Sequence, residues 1–148
     1  MKDRDIKALQ KITALQLQAR QAAVRRLRDE EQRLREAEAL LQQNRRADQL
    51  RDTADFARRE IGADLLWQAW LDGRQREIQM DLLRVLTRIE PAQAALKTAF
   101  GRDQAVEHMA ERFSSDKARQ RERRGATTAE TGAQTHADGI GRLPLTGG

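Results

Sequence analysis

Between Ile6 and Leu50 the chain contains neither Pro nor Gly, and its apolar residues recur at helical rather than strand spacing. Leu27, Leu34 and Leu41 repeat every seven residues and Ile6 falls in the same register, with Leu9, Ala23 and Ala37 as the intermediate layer and Leu17 and Val24 at its flanks. Thr13, Arg20, Glu30 and Asn44 interrupt this pattern, so the segment reads as one long helix whose narrow apolar seam needs a partner helix. A second segment supplies that partner. Ile78, Leu82, Val85, Ile89, Ala92, Leu96 and Ala99 step by four and three in alternation, and Val106 resumes the register one heptad on.

Asp52, Thr53, Asp55 and Gly62 are residue types that cap or punctuate helices, which puts a reversal at about 48–62. Pro91 lies inside the second pattern, but the apolar register continues across it, so a bent helix is expected rather than a break. The expectation is an all-α fold, an antiparallel two-helix coiled-coil hairpin over residues 1–124, followed by a disordered tail over 125–148.

Composition sharpens this reading. Of 148 residues, 34% are charged, against about 25% in ordinary soluble domains, and 3% are aromatic, too few for a multilayer core. With no cysteine, a disulfide scaffold, a thiolate metal site and a catalytic thiol are excluded. Met1-Lys-Asp-Arg-Asp leads into an amphipathic stretch, so neither a signal peptide nor a membrane span is expected and a cytoplasmic placement is the default. The final Leu143-Pro-Leu-Thr-Gly-Gly resembles the LPxTG sorting motif, but it lacks the apolar and basic residues that follow a working signal and is read as chance.

No catalytic or cofactor-binding constellation emerges. His108 with Glu111 is too sparse a ligand set for a metal, and the carboxylates are interleaved with arginines, as in Asp29, Glu30 and Glu31 among Arg25, Arg26, Arg28, Arg33 and Arg35. Two helices enclose no pocket for a small-molecule substrate, and no cofactor is implied. The net charge of +5 is concentrated late: Lys117, Arg119, Arg121, Arg123 and Arg124 are opposed only by Glu122. Such a run attracts phosphate. No aromatic interleaves it, which argues against nucleic acid and leaves an acidic protein surface as a compatible partner. The remaining candidates are Trp67 and Trp70, one helical turn apart, with Arg74 on the same face; they either fill the hairpin near its turn or anchor another protein, and Phe56 is placed to join them.

Three stretches carry a family resemblance: Leu15-Gln-Leu-Gln-Ala-Arg-Gln-Ala-Ala-Val-Arg-Arg-Leu, Leu66-Trp-Gln-Ala-Trp-Leu-Asp-Gly-Arg-Gln-Arg-Glu-Ile, and the basic, Ala-rich Lys97-Thr-Ala-Phe-Gly-Arg-Asp-Gln-Ala-Val-Glu-His-Met-Ala-Glu-Arg. Together they resemble the FliJ/YscO family of stalk proteins from flagellar and type III secretion export, over roughly residues 5–120. The resemblance implies a non-enzymatic stalk in the central hole of a hexameric export ATPase. It also implies contact with the cytoplasmic domain of the export gate, handling of free export chaperones, and a place at the cytoplasmic face of the inner membrane that touches the membrane only indirectly. It puts gate contacts on Trp67 and Trp70 and extends them to Arg74, where this chain departs from an apolar family position. The rival class is a self-assembling coiled-coil scaffold or a basic nucleic-acid-binding helical protein.

Overall fold

A computed structural model describes residues 2–55 and 61–140, which form two α-helices, α1 (Asp3–Asp55) and α2 (Ile61–Ile140), with no strand among the described residues. The helices pack against each other as an antiparallel hairpin, in accord with the heptad reading. Lys2 stands just before α1, its backbone N–H donating to Asp5 Oδ2 at 3.2 Å while its carbonyl accepts from the Asp5 N–H at 2.9 Å. Asp3 and Asp5 in the first turn also oppose the positive end of the helix dipole.

The helices reach further into the predicted reversal than the capping residues suggested. α1 continues through Asp48 to Asp55, and Gly62 lies within α2; residues 56–60, Phe56 among them, lie outside the described residues. Asp and Thr have lower helix propensity than Ala by only a few tenths of a kcal/mol, too little to stop a helix that is already propagating. α2 passes through Pro91 without interruption. The proline leaves the Thr87 carbonyl without its usual donor, while the Thr87 hydroxyl donates to Arg84 O at 2.8 Å.

The chain divides into two compact units. In Thr13–Arg102 the pairing is antiparallel: Asp48 meets Trp67, Arg45 meets Asp72, and Leu41 packs with Leu71 and Ile78 beside Ala37. The α2 side of this seam follows its heptads. Leu71, Ile78, Val85, Ile89 and Ala99 are buried, and Leu82, Ala92 and Leu96 are partly buried between them. The α1 side differs from the simplest pattern. Leu17, Val24, Glu31, Glu38 and Arg45 are half-buried, so the seam includes polar positions, and Thr13, read as an interruption, is buried in it.

Glu31 shows how a carboxylate is held there. Its side chain is only 13% exposed, and its two oxygens are divided between Arg28 Nη1 at 3.0 Å and Arg35 Nη2 at 2.9 Å. These hydrogen bonds, from Arg35 first and Arg28 second, hold its pKa below the usual carboxylate value. A folded-state pKa below the unfolded one adds stability at neutral pH that is lost as pH falls through the ordinary carboxylate range toward the lowered value. Urea titrations should therefore show a deficit for Glu31→Gln at pH 7 that shrinks in acid. A deficit that is constant with pH would mean the ion pairs contribute nothing.

In the second unit, Met1–Ile12 with Asp103–Gly148, Ile6 and Val106 are buried, Ala110 and Phe113 are half-buried, and Gln10 Nε2 donates to Glu107 Oε1 at 3.3 Å. Beyond Phe113 every described side chain through Gln134 is exposed. The sequence marks 125–148 as a tail; α2 continues as helix to Ile140, and residues 141–148 lie outside the described residues. The Thr127, Thr128 and Thr131 hydroxyls return to the carbonyls of Arg123, Arg124 and Thr127 at 2.7–2.8 Å, the back-bonding that satisfies a threonine hydroxyl inside a helix at a small cost in helix stability.

Candidate functional site

α2 opens with an apolar, aromatic stretch that the seam leaves partly uncovered. Leu71 turns inward, while Leu65, Leu66, Trp67 and Trp70 remain in solvent. The two indoles stack on each other, centroids 5.2 Å apart and planes 11° from parallel. Trp67 is 45% exposed and Trp70 56% exposed, so neither fills the hairpin as a core residue.

Trp67 is tied down from the other helix, its indole Nε1–H donating to Asp48 Oδ2 at 2.7 Å. That contact closes one side of a cleft of about 80 Å³ lined by Arg45, Asp48, Asp64, Trp67, Leu71 and Asp72, among others. Arg45 crosses the same end of the seam and donates from Nη2 to Asp72 Oδ1, while its buried Nε has no hydrogen-bond partner among the described residues. The result is a polar clamp across the two helices beside Trp67. Trp70 rests on Trp67, so both rings are held in place before any partner arrives, which lowers the ordering cost of binding.

Of the residues singled out from sequence, Trp67 and Trp70 are brought together, and Arg74 lies on the next turn of the same face. Its guanidinium Nη1 is engaged by Glu77 Oε2 at 3.0 Å, and both side chains are solvent-facing. A guanidinium has five donors, so this ion pair leaves Arg74 able to accept a further carboxylate. Asp48 and Arg45, from the other helix, were missed by sequence reasoning. Their neighbours in α1 carry no local signal, and only the antiparallel register, set by the heptads, places Asp48 opposite Trp67.

Among the described residues no group of three or more His, Cys, Asp or Glu is placed to hold a metal ion, and no helix is long and apolar enough to cross a membrane. His108 Nδ1 lies 3.7 Å from Glu111 Oε2, an exposed pair on one helix face. Comparison with protein-family models, with curated proteins and with solved structures found no match to this chain.

Proposed function

We propose that this chain is a non-enzymatic stalk of a flagellar or type III export ATPase, coupling the hexameric ATPase to the cytoplasmic domain of the export gate. It also escorts export chaperones at the cytoplasmic face of the inner membrane. The observation that carries the reading is the preordered, solvent-facing stack of Trp67 and Trp70, with Arg74 one turn on. Trp and Arg are the residue types that dominate protein-binding hot spots, and a stacked indole pair buries a large area at little entropic cost. The resemblance over residues 5–120 supplies the identity of the partners, and the two-helix coiled-coil class is compatible with it.

Addition of the purified chain to a cognate hexameric export ATPase is expected to raise ATP hydrolysis several-fold, saturating near one chain per hexamer. A hydrolysis rate unchanged by excess chain would overturn the stalk reading.

A further inference from the structure

The second unit contains a groove whose chemistry changes along its length. It has a volume of about 330 Å³, and Ile6 from α1 with Ala110 and Phe113 from α2 give it an apolar floor, flanked by Gln10 and Ser114. Lys7, Lys117 and Arg121 line its sides, and Asp3 stands with Lys7 where α1 begins. Lys7 is engaged by Asp3 at 3.5 Å. Lys117 and Arg121 are exposed, and neither forms an ion pair among the described residues.

The register explains the change. On α2 the stripe that faces α1 runs Val106, Ala110, Phe113, and steps of four and three lead on to Lys117, Gln120 and Arg124, with Arg121 beside this line on the same face. Beyond Phe113 this stripe turns from apolar to cationic, and among the described residues its side chains are exposed. A surface that is apolar at one end, basic along its continuation and exposed among the described residues matches an acidic amphipathic helix by charge and by its apolar face.

We infer that this groove binds an acidic, amphipathic segment of another protein. One or two apolar side chains of that segment sit over Phe113, Ala110 and Ile6, and carboxylates a turn apart meet Lys117, Arg121 and Arg124. Protein is favoured over nucleic acid by the apolar floor, which phosphate cannot use, and by the acidic groups nearby, Asp3 in the groove and Asp116 and Glu122 on the same stretch of α2. The stretch also lacks the interleaved aromatics on which single-stranded bases stack.

The test uses the full chain and a fluorescein-labelled synthetic amphipathic helix with a Leu face flanked by Glu, read by fluorescence anisotropy at physiological ionic strength. Binding is expected, with the affinity falling at least about tenfold for the Lys117→Gln/Arg121→Gln double variant and for a probe in which Gln replaces Glu. Both substituted side chains are exposed, so the fold is retained, and circular dichroism checks this. The Arg119→Gln/Arg123→Gln pair, on the opposite side of the helix, should leave the affinity within about twofold. No binding, equal binding of the Glu and Gln probes, or an equal loss in both double variants would overturn the inference. So would a labelled DNA duplex that binds more tightly than the peptide and depends on the same two residues, since that result assigns the groove to nucleic acid.

Discussion

An Ile78→Asp chain is expected to lose most of its helical circular-dichroism signal at room temperature. Ile78 is 3% exposed and forms one cluster with Leu71 and Leu41, packed by Ala37. Removing its side chain forfeits about 2–3 kcal/mol of burial. An unpaired carboxylate in its place costs on the order of 3–5 kcal/mol more if it stays ionised. Domain stabilities are about 5–15 kcal/mol, and a two-helix seam, which buries little apolar surface per residue, belongs at the low end. Once the pairing is lost, α1 with its polar seam has little to hold it helical in water. The conservative Ile78→Ala is expected to cost about 2–4 kcal/mol in urea titration. Leu83→Ala, at a position 59% exposed on the same helix, should cost less than about 0.5 kcal/mol. Equal effects at the two positions would mean that the heptad stripe is not the core.

The second large effect concerns binding. If the stacked indoles are the gate contact, Trp70→Ala should weaken binding to the gate's cytoplasmic domain by more than about tenfold, corresponding to at least about 2 kcal/mol for a hot-spot indole. Trp70 makes its ring contact with Trp67 and is more than half exposed, so the hairpin should keep its helicity and its urea midpoint within about 0.5 kcal/mol. Trp67→Ala differs. It also removes the hydrogen bond to Asp48, and part of its effect should therefore appear as lost stability. A pulldown in which Trp70→Ala binds as well as the unaltered chain removes Trp70 from the contact surface. Isothermal titration of the same pair separates a weakened contact from a misfolded one.

The α2 register was legible in the sequence because every seam position from Ile78 to Ala99 is apolar, and the structure extends the same stripe back to Leu71 and on to Phe113. α1 was harder to read. Gln10, Thr13, Glu31 and Arg45 lie at or beside its seam, and a polar residue held by neighbouring side chains leaves no mark in a hydrophobic period. Local capping signals around Asp52 and Thr53 were overridden by helix propagation, which a residue-by-residue reading of cap preferences does not weigh. For the site, the aromatic pair was visible as spacing and its stacking followed from the helical turn. Asp48 and Arg45 were not visible, because they enter through pairing between segments far apart in the chain.

The cross-helix contacts of the Thr13–Arg102 unit carry a mechanical consequence. Leu27, Leu34 and Leu41 repeat every seven residues, and Ile78 and Val85 repeat with the same period, so a slide of one helix along the other by one heptad, about 10 Å, sets leucine where leucine was. Apolar layers of one period act like the teeth of a rack: they resist small displacements and are nearly indifferent to a whole tooth. The ion pair of Arg45 with Asp72 has no counterpart one heptad away, since the residues seven positions from Arg45 are Glu38 and Asp52 and those seven from Asp72 are Leu65 and Gln79, and it therefore works as the index pin of the pair. A partner that drew Arg45 off Asp72 would release that pin, and force applied along the helices would then be answered by a discrete click of register instead of an elastic stretch.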